Sequence, residues 1–122
     1  MKRQYVEQLI KGITEPMILY LINEMPMYGY NIIKVLEQRT TGFFKLGGGT
    51  IYPALQRLEE KGLVKSRWQQ TTKRQRRKYY QITETGRQFL ASRLDEWRDL
   101  STAVSMLVGM TNTSKILPAK EA

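Results

Sequence analysis

The sequence predicts a mainly α-helical fold with one small β-hairpin. Apolar residues recur at helical spacing through most of the chain, one stretch in the middle alternates as strands do, and a long apolar stripe follows it. With 122 residues, of which 41% are hydrophobic, the chain can form one domain with an appended helix. The order of these elements is typical of a winged helix-turn-helix followed by a long C-terminal helix.

Helices are expected in the N-terminal third. Residues 2–10 form a possible first helix, which ends before Gly12. Thr14-Glu15-Pro16 then resembles a helix start, with a capping hydroxyl, an acidic residue and an early proline. Residues 25–29 are expected to form a turn, and the next helix ends near Arg39.

The prediction of a winged helix-turn-helix depends most on the helix expected between Gly47 and Gly62. Thr50 is placed as its cap, and Pro53 in its first turn, where a missing N–H costs little. Its apolar face consists of Ile51, Leu55 and Leu58. The opposite face carries small, amide and guanidinium groups from Pro53, Gln56 and Arg57, together with Glu60.

A strongly basic hairpin follows this helix. Strands are predicted over residues 63–70 and 77–82, joined by a loop over residues 71–76. The segment from Lys61 to Ile82 contains eight lysines and arginines and no acidic residue, so it accounts for eight of the nine net positive charges. This concentration of charge predicts an anionic partner, and a merely solvated charged loop is the alternative.

The last predicted helix is longer than one small domain needs. Thr83 is expected to cap it, and a helix of about 25 residues would span about 38 Å. Its apolar stripe predicts a homodimer, with the interface candidates Leu90, Leu94, Trp97, Leu100, Val104 and Leu107. We therefore divide the chain into a DNA-binding domain (1–83), a dimerisation helix (84–110) and a flexible tail (111–122).

Composition argues against an enzyme. The chain has no cysteine and no histidine, which removes thiol nucleophiles, histidine acid–base chemistry and Cys/His metal sites. The three glycines before Thr50 lack the spacing and the lysine of a phosphate-binding loop. We expect no metal and no cofactor. No apolar run approaches the roughly 18 residues of a membrane span, and no signal peptide is evident, so a cytoplasmic protein without a membrane partner is expected.

Three motifs resemble those of PadR-family transcriptional regulators. They run from Tyr28 to Ile33, from Gly49 to Val64 and from Arg77 to Gly86, in the family's order and spacing, within a resemblance that covers about residues 13–110. The resemblance implies a winged helix-turn-helix with a C-terminal dimerisation helix, and repression by operator binding that a small molecule often relieves. The chain looks like the short branch of the family, without the larger C-terminal helical domain. It also has Lys73-Arg74-Gln75-Arg76 where many members have a glycine in the wing, which implies a more strongly charged and less tightly turned wing tip.

The DNA-binding candidates lie on the central helix and in the hairpin. They are Thr50, Tyr52, Pro53, Gln56, Arg57, Lys73, Arg74, Arg76, Arg77, Lys78 and Tyr80. Glutamine can read adenine and arginine can read guanine in the major groove, and the hairpin cations suit phosphates or the minor groove. Tyr79 and Tyr80 alternate in direction, so one is expected inside. Tyr52 has packing at the helix flank as its alternative role, and Thr50 has capping. Tyr28 and Tyr30 are equally consistent with backbone contact and with core packing.

Trp97 lies in the middle of the last apolar stripe and has two interpretations. It is either a large core residue or a flat platform that stacks a planar aromatic ligand between two copies, similar in placement to the tryptophan of multidrug-binding PadR-like regulators. The function predicted is a homodimeric repressor of an inverted-repeat operator in double-stranded DNA, with release by a planar aromatic small molecule as a further hypothesis. The alternatives are a basic RNA-binding or ribosome-associated protein, and a protein-interaction module that no longer reads DNA.

Overall fold

The structure, a computed structural model, describes residues 8–110. Its helices are α1 (Thr14–Glu24), α2 (Gly29–Arg39), α3 (Gly48–Glu60) and α4 (Glu84–Val108), and its strands are β1 (Met27–Tyr28), β2 (Val64–Gln70) and β3 (Arg76–Ile82). Residues 8–10 are also helical. The rest of the expected N-terminal helix and the tail over residues 111–122 lie outside the described residues. Between residues 8 and 110, no helix carries an apolar stretch long enough to cross a bilayer.

The predicted hairpin is present and belongs to a three-stranded antiparallel sheet with the order β1-β3-β2. The register of β2 and β3 pairs Val64 with Ile82 and Gln70 with Arg76. Strand β1 occupies two residues of the stretch expected to be a plain turn, because Met27 lies opposite Tyr80 on β3.

The core lies between α1, α2, α3 and one face of the sheet. Its most completely buried large side chains are Ile18, Leu19, Ile22, Ile32, Ile51, Leu55 and Leu58. The sheet contributes Val64, Tyr80 and Ile82, all less than a tenth exposed. The apolar face expected for α3 is therefore confirmed.

The start of α3 differs from the prediction. The helix is capped by Gly47, whose carbonyl accepts hydrogen bonds from the amides of Thr50 and Ile51, both at 3.0 Å. Thr50 therefore lies inside the helix and does not cap it, and Pro53 lies in the second turn instead of the first. The glycines do not delay the helix, because the segment after Gly47 adopts helical geometry from Gly48 onward.

The start of α1 also lacks the expected cap. Ile13 is the N-cap residue, and no side chain caps the helix. The Thr14 hydroxyl instead donates to the backbone carbonyl of Ile10 at 2.9 Å, in a buried position. A threonine inside a first turn commonly makes this backward bond.

The end of α3 is closed by a left-handed glycine. Gly62 has φ = 76°, and its amide donates to the Glu59 carbonyl at 3.0 Å. The amide of Leu63 donates to the Leu58 carbonyl at 2.9 Å, which completes a Schellman motif. The prediction that the helix ends at this glycine is confirmed, and β2 begins directly afterwards.

The start of α4 is hydrogen-bonded to Leu63, the residue that follows Gly62. The amide of Thr83 donates to the Leu63 carbonyl at 3.0 Å, and the Thr83 hydroxyl accepts from the Gly86 amide at 3.0 Å. Thr83 is therefore the predicted cap. A Cβ atom on Gly86 would overlap the Leu63 carbonyl oxygen, so this close approach requires glycine.

The described residues divide into two compact units, the first ending at Leu90 and the second beginning at Ala91. Leu90 is only 4% exposed and belongs to the first unit, so its expected role at a dimer interface was wrong. A side chain already covered by its own chain has little surface left for a second copy.

Candidate nucleic-acid interface

The exposed face of α3 has an uncharged centre. Gly49, Pro53 and Gln56 are exposed along one side of the helix, opposite its buried apolar residues. The Gln56 side-chain nitrogen donates to Glu60 at 3.4 Å, a long and exposed contact. Most of the hydrogen-bonding capacity of the Gln56 amide therefore remains open to a base edge.

Arg57 is directed to one side of this face. Its Nε lies 3.1 Å from one oxygen of Glu15, and Lys61 Nζ lies 3.1 Å from the other. Glu15 stands in the first turn of α1, and no sequence motif indicated this role for it. Any contact of Arg57 with DNA must compete with this ion pair. Exposed ion pairs stabilise a protein by only about 0–1 kcal/mol, so this competition is weak.

Tyr52 lies on the other side of the exposed face. Its ring packs beside two glycines: a Cβ atom on Gly29 would lie 2.5 Å from Tyr52 Cε1, and one on Gly48 would lie 3.1 Å from the ring. The residue is nevertheless 47% exposed. Tyr52 therefore packs at the flank of the helix as expected, and its contact with DNA stays a prediction.

The wing tip, residues 71–75, is a closed turn that carries its charges outward. The Thr71 amide donates to the Gln75 carbonyl at 2.7 Å, and the Thr71 hydroxyl accepts from the amides of Lys73 and Gln75. Arg74 adopts φ = 62°, a conformation that glycine takes more easily. Lys73 and Arg74 are exposed, as expected for phosphate contacts.

Two predicted contact residues, Arg76 and Lys78, share a sheet face with Trp68. Their charged groups lie over the Trp68 ring, with Arg76 Cζ at 5.2 Å and Lys78 Nζ at 5.6 Å from its centroid. Trp68 is opposite Lys78 in the register and is 55% exposed. A cation held over an aromatic ring loses less freedom when it meets a phosphate, because its position is already restricted.

Cations and tyrosines also cover the opposite face and the adjoining edge of the sheet. Arg77 Cζ and Lys34 Nζ lie over the Tyr30 ring, at 5.2 Å and 5.0 Å from its centroid. Arg67 lies over Tyr79 at 5.6 Å. The hairpin therefore divides its charge between two faces, a separation that the run of basic residues did not reveal.

Tyr80 shares a sheet face with Trp68 and Lys78 but is largely buried. It is 6% exposed, and burial raises the pKa of its hydroxyl, with smaller contributions from Glu59 and Tyr52. This burial does not support the expected contact of Tyr80 with DNA, since Ile82, two positions along the strand, faces the core and Tyr80 shares its direction. The alternation from Ile82 was the sequence signal that could have identified Tyr80 as the inward tyrosine.

The second unit exposes the apolar stripe that the sequence predicted. Exposed fractions are 50% for Trp97, 62% for Leu100, 47% for Val104 and 84% for Leu107. Leu94 is half-buried.

Comparison with known proteins places these features in a family. Residues 18–92 match the model of the transcriptional regulator PadR-like family. A transcriptional regulator from Clostridium thermocellum is 33% identical with a TM-score of 0.77, over 83% of this chain and 98% of that one. A PadR-like regulator from Bacillus cereus is 33% identical with a TM-score of 0.72, over 83% and 96% of the two chains.

Two relatives were found by sequence. Uncharacterized protein X of Lysinibacillus sphaericus is 31% identical over 100 residues, which are 82% of this chain and 92% of that protein. The Escherichia coli transcriptional regulator YqjI is 34% identical over 73 residues, but these span only 33% of its length. The match over most of the winged helix decides the assignment: the chain belongs to the PadR-like family of transcriptional regulators, and this membership implies DNA binding.

Proposed function

We propose that the protein is a homodimeric repressor that binds an inverted-repeat operator in double-stranded DNA. The observation that carries the proposal is the juxtaposition in one unit of the exposed face of α3, whose centre is uncharged, and a charged wing. Gln56 is exposed on the first, and Arg76 and Lys78 are held over Trp68 on the second. We propose that the protein binds DNA without catalysing a reaction. We also propose that it acts in the cytoplasm.

The proposed reading of the operator separates two tasks. Gln56 forms hydrogen bonds with a base edge in the major groove, where a good bidentate contact discriminates by about 1–3 kcal/mol. Arg76 neutralises a phosphate and contributes equally on every sequence. Arg57 can contact a base or a phosphate only after its ion pair with Glu15 is broken. The Glu15 carboxylate then keeps its ion pair with Lys61.

The proposed dimer uses the second unit. An apolar stripe that is at least half exposed at Trp97, Leu100 and Leu107 is costly in water, and a second copy covers it. We keep residues 1–83 as the DNA-binding domain and 84–110 as the dimerisation helix. In such a dimer, two copies of α3 about 34 Å apart meet half-sites one turn of DNA apart.

The proposed release uses Trp97. Its ring is 50% exposed in the single chain, and two such rings at a twofold axis form an apolar slot for a planar aromatic molecule. The ligand must prefer one arrangement of the dimer, since equal affinity for both arrangements shifts nothing. A coupling of about 1–3 kcal/mol changes operator affinity by roughly 5- to 150-fold.

Selection from a random duplex pool tests the proposed function. The protein is mixed with random double-stranded DNA in an excess of random RNA, and the bound DNA is sequenced. We expect an inverted repeat with half-site centres about 10 base pairs apart. An RNA competitor that displaces the enriched duplex at equal concentration supports the RNA-binding alternative. Enrichment of a sequence without any repeat contradicts the dimer.

A further inference from the structure

A cleft of about 220 Å³ lies between α3, the hairpin and the start of α2. Its lining consists of Tyr52 of α3, Trp68 of β2, the β3 residues Arg77, Lys78 and Tyr80, and Tyr28 and Gly29 at the start of α2. At about 30 Å³ per water molecule, the cleft has room for about seven waters. That is enough for a five-membered ring with its phosphate.

Both aromatic walls of the cleft are held in position. The Tyr52 ring is fixed against Gly29 and Gly48, where even a Cβ atom would crowd it. The Trp68 ring is held beneath the charged groups of Arg76 and Lys78. Tyr52 and Trp68 are nevertheless each about half exposed. The cleft therefore presents preformed apolar faces with cations beside them.

This combination of aromatic and cationic groups suits one chemical class. Inorganic phosphate would satisfy the cations but leave the rings in water, and an apolar ligand would satisfy the rings but leave the cations unused. A deoxyribose with its phosphate satisfies both, because the sugar has apolar faces and the phosphate carries the charge. The protein's own excess of positive charge in this segment favours such an anionic occupant.

One acidic residue adjoins the cleft and competes for its lysine. Glu59 Oε1 lies 3.8 Å from Lys78 Nζ, near the outer limit of an ion pair. The other carboxylate oxygen, Oε2, accepts a hydrogen bond of 2.8 Å from the Ser66 hydroxyl. Glu59 thus restricts Lys78 without neutralising it at close range, so the ammonium group remains available to a phosphate.

We propose that this cleft binds one sugar–phosphate unit of the operator backbone, with the deoxyribose between Tyr52 and Trp68 and the phosphate on Lys78. The proposal rests on the proposed operator binding and adds the site that fixes the register of α3. Because the cleft opens between the reading helix and the wing, the captured backbone unit determines which base pair Gln56 faces.

Single methylphosphonate substitutions in the operator test this proposal. Each removes the charge of one phosphate, and the dissociation constant is measured for the wild type and for Lys78→Met. We expect one phosphate in each half-site whose neutralisation weakens wild-type binding about tenfold, a loss of about 1.4 kcal/mol, and weakens Lys78→Met by less than about twofold. Lys65→Met is the matched control, because this exposed lysine of β2 lies on the other face of the sheet.

Trp68 variants test the aromatic wall. Trp68→Phe retains a ring beneath the two cations and should keep the effect of that phosphate, whereas Trp68→Leu should lose most of it. Thermal unfolding of both variants reports whether the fold is kept, and Lys78→Met keeps the test decisive if Trp68→Leu unfolds.

The outcomes separate this proposal from the proposed function. A wild-type protein that binds its operator but has no phosphate coupled to Lys78 overturns the cleft proposal alone. The cleft proposal is also overturned if Lys65→Met loses the effect of the same phosphate. A protein that selects no duplex overturns both proposals.

Discussion

Replacing Gly29 by alanine should destabilise the protein, although alanine is the better helix former. Gly29 is the first residue of α2 and is buried against Tyr52. A Cβ atom there would lie 2.5 Å from Tyr52 Cε1, whereas ordinary van der Waals contact begins near 3.4 Å. The tyrosine ring must therefore move by about 0.9 Å, out of the position it holds beside Gly48.

The expected size follows from two opposing effects. Extra atoms in a filled site typically cost about 1–3 kcal/mol, and exchanging glycine for alanine in a helix returns about 0.5–1 kcal/mol. The net loss should be about 1 kcal/mol, which is about 4–8 °C in Tm for a domain of 60–100 residues. Gly49→Ala is the matched control, because nothing lies within 4 Å of a Cβ atom at Gly49, so it should raise Tm.

Thermal unfolding at one fixed protein concentration measures both variants, since dimerisation makes Tm depend on concentration. Adding Tyr52→Ala to Gly29→Ala should remove the crowding, so the alanine at position 29 becomes neutral or favourable in that background. An equal rise in Tm for Gly29→Ala and Gly49→Ala would refute the argument that the glycine makes room for the ring.

Further predictions concern the proposed surfaces. Val104→Asp should give monomers that bind DNA weakly, and sedimentation of a stable wild-type monomer at micromolar concentration would contradict this. Gln56→Ala should relax discrimination at one base pair by about 1–3 kcal/mol, whereas Arg76→Ala should weaken all sequences and reduce the log–log salt slope by about 1. With Trp68 replaced by phenylalanine, planar cationic dyes should quench Trp97 fluorescence saturably, and an unresponsive indole would make Trp97 a core residue. Arg74→Gly should be about 1 kcal/mol more stable than Arg74→Ala, which loses the same charge but keeps the strain of φ = 62°. Equal stability of these two variants would show that the turn stores no strain.

The faces of the main elements could be predicted because they depend on local spacing. The apolar residues of α3 recur at the helical period, and all three, Ile51, Leu55 and Leu58, are fully buried. The start of α3 could not be predicted as well, since glycine permits both a loop and a first helical turn. Thr50 looked like a cap only because the glycines before it were assigned to the loop.

Contacts between different helices and strands could not be predicted from the local spacing of residues. Arg57 and Glu15 are 42 positions apart, so their ion pair depends on how α1 lies beside α3. Strand β1 likewise exists only because β3 lies beside it, and two residues carry no period of their own. The direction of Tyr80, in contrast, was available from Ile82 and was missed.

The backbone hydrogen bonds of Leu63 affect how readily the first unit unfolds locally and exchanges its amide hydrogens with water. The Leu63 amide is held by the end of α3, and its carbonyl holds the Thr83 amide where β3 meets α4. Neither amide can exchange its hydrogen with water by fraying of one element, because separating one bonded pair disturbs the others. Their hydrogen exchange therefore requires an opening close in free energy to global unfolding, while the exposed amides of the wing tip exchange through small local fluctuations. We therefore expect α3 and the base of the wing to open together, whereas the wing tip can move on its own.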